Sequence, residues 1–136
     1  FLAAGMVFGP SSIIGEVPYD PLLYFNGEEA SMAVRLWTHG YDLYAPNGAV
    51  IYHNYERQSA PRHWSDDKDW IKLSDRSYER FRHLFGIEKA KDPESIRDLD
   101  QYGFGRARSL AEYERFTGIS FKNLAVSDRA KSVYFP

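Results

Sequence analysis

The strongest helix signal in the sequence lies between Gly27 and Gly40. Two carboxylates, Glu28 and Glu29, stand at its start, where the helix dipole favours negative charge. The segment ends at a glycine, and its apolar positions are Met32, Val34, Leu36 and Trp37. We therefore predict a helix that carries both glutamates in its first turn.

Short apolar segments on both sides of this helix have the pattern of β-strands. Residues 1–8 form an apolar run followed by a Gly-Pro-Ser-Ser turn, so we expect a buried strand that leads into a short helical turn. Residues 41–45 and 49–52 flank Pro-Asn-Gly, which predicts two strands joined by a tight turn, with His53 at the end of the second. The first strand should pair with this hairpin or with a neighbouring molecule, because an exposed apolar edge promotes self-association.

The second half of the chain is predicted to be mostly helical. Residues 54–70 are polar and aromatic without a regular period, which is typical of a functional loop. A helix is expected from about residue 74 to 85, and Gly86 stops it. Further helix signals stand at Asp92-Pro93, at the capping box of Ser109 with Glu112, and at the terminating Gly118.

Composition excludes several kinds of partner and site. The formal net charge is -2 and the basic residues are scattered, which argues against a nucleic-acid partner. The chain has no cysteine, so disulfides and thiolate metal sites are excluded. No apolar run reaches the roughly 18 to 20 residues of a membrane-spanning helix. Because no linker divides the chain, we expect residues 1–86 to form the main domain and residues 87–136 a helical extension packed on it.

This order of elements can bring four features to one place. They are Ala4-Gly5 in the first strand, Glu28-Glu29 at the helix start, His53 at a strand end, and the loop residues Arg57, Arg62, His63 and Trp64. Each alone has an ordinary explanation, such as a carboxylate that only caps a helix. Together they match the needs of glycosyl transfer from a nucleoside diphosphate. The departing diphosphate gains negative charge, which a divalent cation and fixed cationic side chains stabilise.

Each feature suits one part of that chemistry. His53 offers a nitrogen ligand for Mn²⁺, and Arg57 and Arg62 can bind phosphate oxygens bidentately. A carboxylate at the helix start can orient sugar hydroxyls or accept the proton of the acceptor. The small residues Ala4 and Gly5 let a sugar approach the backbone closely.

The sequence also resembles a known group of glycosyltransferases. Its Ala-Ala-Gly segment, Tyr-Asp-Pro turn, Gly-Glu-Glu helix start and strand-end histidine are similar in order and spacing to the polypeptide N-acetylgalactosaminyltransferases. The closer likeness is to the cytoplasmic hydroxyproline N-acetylglucosaminyltransferases and their bacterial relatives, which share the Arg-Leu-Trp-Thr-His-Gly-Tyr-Asp and Pro-Arg-His-Trp seen here. The resemblance covers residues 1–86. It implies an α/β fold, namely the C-terminal portion of a GT-A domain with a mixed sheet and flanking helices.

The resemblance also implies residue roles. Glu28 or Glu29 is the acidic residue that faces the acceptor and the donor sugar, and His53 is the third metal ligand. The mobile loop that closes over the diphosphate contains Arg57, Arg62, His63 and Trp64. Arg57 stands one position later after the histidine than in the galactosamine enzymes. The family's upstream Asp-X-Asp metal motif has no counterpart in the chain, since Asp67-Lys68-Asp69 and Asp98-Leu99-Asp100 follow no apolar strand.

The sequence therefore predicts a cytoplasmic, metal-dependent transferase that moves an N-acetylhexosamine from a UDP-sugar to a hydroxyl of a protein, peptide or glycan. The expected sugar is GlcNAc. We expect these 136 residues alone to be inactive, because the nucleotide-binding half is missing from them. One alternative is a sugar-binding or scaffolding module without catalysis. The other is a metal-dependent hydrolase built on His53, His63, Asp66 and Asp67.

Overall fold

The computed structural model describes residues 2–54 and 61–132. The helices are α1 (Ile13–Glu16), α2 (Glu28–Thr38), α3 (His63–Asp66), α4 (Trp70–Leu84), a 3₁₀ turn (Pro93–Ile96), α5 (Leu99–Tyr102), α6 (Leu110–Thr117) and α7 (Asp128–Lys131). Two short strands, β1 (Ile119–Ser120) and β2 (Ala125–Val126), form an antiparallel pair. The described part is thus rich in helix with one small sheet, an arrangement compatible with the α/β class.

Helix α2 forms where the sequence predicts it. Gly27 precedes the helix with a φ of 88°, a left-handed conformation that favours glycine. Glu28 and Glu29 occupy the first turn. Gly40, with a φ of 99°, follows the C-terminal end and lets the chain turn away. The helix is buried along much of its length, at Ser31, Ala33, Val34, Arg35, Leu36 and Thr38.

The later helices also follow local sequence signals. Helix α4 begins four residues before the predicted start and ends at Leu84, with Gly86 in the left-handed conformation just after it. The Asp92 side chain accepts a hydrogen bond from the backbone of Glu94 and so caps the 3₁₀ turn. The predicted capping box of Ser109 and Glu112 is present in full, and Gly118 ends α6 in the left-handed conformation.

One apolar core joins the two halves of the chain. Ala33 and Val34 of α2 pack with Phe85, Tyr113 and Phe121, all of them buried. The ring centroids of Phe85 and Phe121 lie 4.3 Å apart. Side chains from beyond Gly86 thus cover the inner face of α2 and hold it in place.

The predicted strands of residues 1–8 and 41–52 are wrong. Within the described ranges neither segment pairs as a strand, and residues 3–8 and 44–54 are exposed. A strand needs a neighbour for its backbone groups, and no described segment supplies one. The backbone N–H of Met6 instead donates to the carbonyl of Ala3 in a local turn. Large apolar side chains remain exposed here, among them Phe8, Tyr44 and Tyr52.

The predicted loop of residues 54–70 is only partly described. It contains the single turn of α3, and residues 55–60, including Arg57, lie outside the described residues. Within the described ranges, no helix has the length and apolar character needed to cross a membrane.

Candidate active site

A turn ahead of α2 is anchored by buried polar contacts. Asp20 accepts a hydrogen bond from the backbone N–H of Leu22 at 3.0 Å, and it forms an ion pair with Arg80 Nε at 2.7 Å. Arg35 Nη1 donates to the carbonyl of Pro18 at 2.8 Å. The backbone N–H of Tyr24 donates to Ser77 Oγ at 2.6 Å. Residues 18–24 are therefore fixed to both α2 and α4, and they lead directly to the two glutamates.

The close packing of Gly27 against α4 fixes the position of the helix start that carries the two glutamates. A Cβ atom at this position would lie 2.8 Å from Cδ2 of Phe81. The glycine lets the backbone approach α4 so closely that no larger residue fits without movement. The start of α2 is therefore held against α4 by shape as well as by hydrogen bonds.

The two glutamates have different surroundings. Glu29 Oε1 accepts a hydrogen bond from the backbone N–H of Ala4 at 2.6 Å, and its side chain is exposed. Glu28 is half-buried, and its Oε2 is buried without a hydrogen-bond partner among the described residues. Neighbouring helical residues point about 100° apart, which accounts for the difference. Glu29 holds the N-terminal segment, whereas one carboxylate oxygen of Glu28 is unpaired among the described residues.

Electrostatics separate Glu28 from an ordinary surface carboxylate. Burial raises the pKa of Glu28; its own backbone hydrogen bond opposes the change and the charge of Glu29 adds to it. Burial, together with the charges of Glu28 and Glu29, also raises the pKa of Tyr19. Tyr19 is still 53% exposed. The site thus combines two carboxylates with a phenol that stays protonated and can donate a hydrogen bond.

Aromatic side chains gather next to the helix start around His63. His63 Nδ1 lies 2.8 Å from the hydroxyl of Tyr24. The ring of Phe25 stacks on the imidazole with centroids 4.4 Å apart, and the rings of Trp64 and Trp70 contact it edge-on at 4.7 and 6.2 Å. Nε2 of His63 is buried without a hydrogen-bond partner in the described part of the chain. Phe25 and Trp64 expose 58% and 44% of their surface.

The remaining predicted residues are placed as follows. The Arg62 guanidinium lies 5.2 Å from the ring centroid of Trp64. Ala4 is exposed and contacts Glu29, while a Cβ atom at Gly5 would lie 3.9 Å from Cδ1 of Ile51. His53 is exposed, two residues beyond Ile51.

The described residues do not form a complete metal site among themselves. Within 2–54 and 61–132, no group of three or more His, Asp or Glu side chains could hold a metal ion. The hydrolase residues His53, His63, Asp66 and Asp67 therefore do not form such a group. The role of His53 as a metal ligand stays a prediction.

Four further residues of the site are not among those predicted from the sequence. Tyr19, Tyr24 and Phe25 precede the start of α2 in sequence, and the return of the chain through α3 and α4 brings His63 and Trp70 to them. The Tyr-Asp-Pro turn next to Phe25 is the signal that points to this region.

Comparison with known families settles the class of protein. The family model described as glycosyltransferase (GlcNAc) matches residues 1–123. The chain belongs to the glycosyltransferase (GlcNAc) family. The match contains every residue of the site described above and extends to Phe121 in the core. No curated protein and no solved structure matches the chain at a significant level. As a member of this family the chain is a transferase that acts on a sugar donor and an acceptor.

Proposed function

We propose that this member of the glycosyltransferase (GlcNAc) family transfers an N-acetylhexosamine, GlcNAc, from a UDP-sugar to a hydroxyl group of a protein, peptide or glycan. The observation that carries the proposal is the helix start at Glu28, where a half-buried carboxylate adds to the effect of burial in raising the pKa of Tyr19 and follows Phe25, a member of the aromatic cluster around His63, by three residues. Such a site combines an orienting acid group with flat apolar surfaces, as a sugar requires.

Glu28 is assigned the direct role. Its carboxylate is half-buried at the start of α2, and its Oε2 has no hydrogen-bond partner within the described residues, so the group keeps unused hydrogen-bonding capacity for a sugar or acceptor hydroxyl. A carboxylate at this place orients the hydroxyls, or accepts the acceptor proton when the displacement is direct. Glu29 is assigned a supporting role, because its carboxylate is engaged by the Ala4 backbone.

Cationic groups are assigned to the leaving diphosphate. Arg62 stands at the edge of the aromatic cluster, where its guanidinium can bind phosphate oxygens bidentately. His53 would supply one ligand to Mn²⁺, and the other ligands would come from outside the described residues. When bound, the metal ion acts as a Lewis acid that stabilises the charge developing on the diphosphate. Arg57 remains a sequence-based assignment to the same group.

The wider setting of the site is part of the proposal. The likeness of residues 1–86 to the GT-A enzymes supports a place for this chain in the C-terminal part of such a domain, with the base-binding strands and the Asp-X-Asp motif elsewhere. The likeness to the hydroxyproline enzymes supports a cytoplasmic setting.

A sugar-binding module without catalysis is the second candidate. The partly exposed rings of Phe25 and Trp64 favour it, because such faces can pack against a sugar whether or not a bond is broken. This alternative requires no ionised carboxylate at position 28. Its distinguishing result is retained sugar binding with no transfer.

The experiment that tests the proposal is a transfer assay with the full-length protein and UDP-GlcNAc. We expect release of UDP in the presence of Mn²⁺, loss of activity on chelation, and recovery when Mn²⁺ is restored. His53→Ala should weaken the response to Mn²⁺ and strongly lower turnover. His39→Ala, at the C-terminal end of α2, is the histidine control and should leave the response to Mn²⁺ unchanged. Activity that is indifferent to both chelation and His53→Ala would contradict the metal assignment.

A further inference from the structure

The backbone of Tyr19 is fixed on both sides, although the side chain itself is open to solvent. The residue before it, Pro18, has its carbonyl held by Nη1 of the buried Arg35 at 2.8 Å. The residue after it, Asp20, is buried and paired with Nε of Arg80 at 2.7 Å. Tyr19 is nevertheless 53% exposed and is not part of the apolar core. Two buried guanidinium groups, one from α2 and one from α4, thus hold an exposed phenol in place.

Tyr19 lies next to the carboxylates at the start of α2. Tyr19 and Glu28 line the same small cavity between the turn and the helix. Burial raises the pKa of the Tyr19 phenol, and the charges of Glu28 and Glu29 raise it further. The hydroxyl therefore keeps its proton at neutral pH and can donate a hydrogen bond, whereas ionised carboxylates only accept one. The helix start thus offers a neutral donor beside two acceptors.

Negative charge at this place restricts what the Tyr19 hydroxyl can bind. Ionised carboxylates at positions 28 and 29 repel the phosphate oxygens of a sugar donor, so the diphosphate is a poor partner for Tyr19. Sugar hydroxyls can donate to the carboxylates themselves. An amide carbonyl has no proton to donate and needs a donor such as a phenol. The acetamido group that distinguishes an N-acetylhexosamine from a plain hexose carries such a carbonyl.

Other polar groups of the site suit other parts of the substrate. The Tyr24 hydroxyl is engaged, since it lies 2.8 Å from Nδ1 of His63. Arg62 carries a positive charge, which suits phosphate oxygens. Tyr19 combines a neutral donor, a place beside Glu28 and a half-exposed side chain. These properties make it the residue of the turn that fits a carbonyl of the sugar.

We infer that Tyr19 is a specificity-determining residue, whose hydroxyl donates a hydrogen bond to the acetamido carbonyl of the donor sugar beside Glu28. The inference rests on the proposed function for the identity of the sugar donor. The fixed backbone of Tyr19 keeps the donor hydroxyl in one position relative to the start of α2, as selective binding requires. The hydroxyl selects an N-acetylhexosamine over the corresponding hexose.

The test compares donor preference in the full-length protein and in its Tyr19→Phe variant, which keeps the ring and loses only the hydroxyl. UDP release from UDP-GlcNAc and from UDP-glucose is measured with Mn²⁺ present, and the preference is the ratio of the two kcat/KM values. We expect kcat/KM for UDP-GlcNAc to fall about tenfold through the loss of one hydrogen bond, while UDP-glucose is used as before. An unchanged ratio overturns the inference, and equal losses with both donors count as an unchanged ratio.

Tyr78→Phe is the matched control, because Tyr78 is 49% exposed and lies on α4. It also removes a half-exposed phenol hydroxyl, and it should leave the preference for UDP-GlcNAc as in the wild type. A fall of the preference in Tyr78→Phe that equals the fall in Tyr19→Phe would also overturn the inference.

A binding measurement separates the inference from the proposed function. Competition between UDP-GlcNAc and UDP-glucose for the full-length protein is followed by saturation-transfer NMR, which needs no turnover. A protein that releases no UDP, but prefers UDP-GlcNAc and loses this preference in Tyr19→Phe, would refute the proposed function and support the inference. A wild-type protein that shows no preference for UDP-GlcNAc in either measurement would refute the inference.

Discussion

Arg80 Nε donates to Asp20 Oδ2 over 2.7 Å, and both side chains are essentially inaccessible to solvent. Arg80 also donates through Nη1 to the carbonyls of Ser95 and Arg97, at 3.0 and 2.7 Å. One guanidinium thus ties the turn that carries Tyr19 to α4 and to the 3₁₀ turn. The geometry of the candidate site depends on this buried pair.

The first prediction concerns the stability that this pair provides. Asp20→Asn should lower the free energy of unfolding by about 3 to 5 kcal/mol, because it leaves the Arg80 charge buried without its partner. Chemical denaturation followed by circular dichroism measures the change. Glu94→Gln is the control, since the Arg97–Glu94 pair is more than half exposed and should be worth less than about 1 kcal/mol. Equal effects of the two variants would contradict the account.

The second prediction concerns the glycine that starts α2. Gly27→Ala should destabilise the fold by about 2 kcal/mol or more, since a left-handed residue acquires a Cβ atom and that atom meets Phe81 at 2.8 Å. Gly15→Ala in α1 is the matched control, because a Cβ atom there meets no described atom within 4 Å. That variant should be neutral or slightly stabilising. Thermal denaturation of both variants decides between a specific and a general effect.

The third prediction follows from the raised pKa of Glu28. When the pKa of an acid is higher in the folded state than in the unfolded state, its stability contribution is present at low pH and is lost as the pH rises through the folded value. Ionised Glu28 should therefore cost stability at neutral pH. We expect Glu28→Gln to have a higher Tm than wild type at pH 7, with a difference that shrinks toward pH 4. A Tm difference that grows on acidification would contradict a raised pKa of Glu28.

Glu29→Gln is the comparison for this measurement. It removes the negative charge that accepts the hydrogen bond of the Ala4 backbone N–H, and because the Glu29 side chain is exposed, no buried charge is removed with it. It should not raise the Tm at neutral pH.

Local signals in the sequence were sufficient to predict several elements. The structure confirms the glycine and the two carboxylates at the start of α2, the end of α4 at Gly86 and the capping box at Ser109. Each of these signals acts only on residues within about one helical turn. The predicted strands at residues 1–8 and 41–52 were wrong, because an apolar run forms a strand only where a neighbouring strand accepts and donates its backbone hydrogen bonds. Among the described residues these segments have no such neighbour.

The candidate site was less predictable than the helices. Glu28, Glu29, Arg62, His63 and Trp64 were proposed from residue type and order, but the contacts that surround the site come from distant parts of the chain. Tyr24 meets His63 across 39 residues, and Arg80 meets Asp20 across 60. Such contacts depend on the packing of α3 and α4 against the turn, which no local pattern encodes.

The central claim is that Glu28, and not its neighbour, acts on the substrate. The most direct test is the rate of GlcNAc transfer by full-length Glu28→Gln and Glu29→Gln, assayed with UDP-GlcNAc and Mn²⁺ at pH 7. The account predicts a loss of on the order of 10² to 10⁴-fold for Glu28→Gln, the usual range for a positioned acid or base. Glu29→Gln should retain most of the activity, because its carboxylate is engaged by the Ala4 backbone. A Glu28→Gln enzyme with ordinary turnover would contradict the assignment and leave this carboxylate as a helix cap alone.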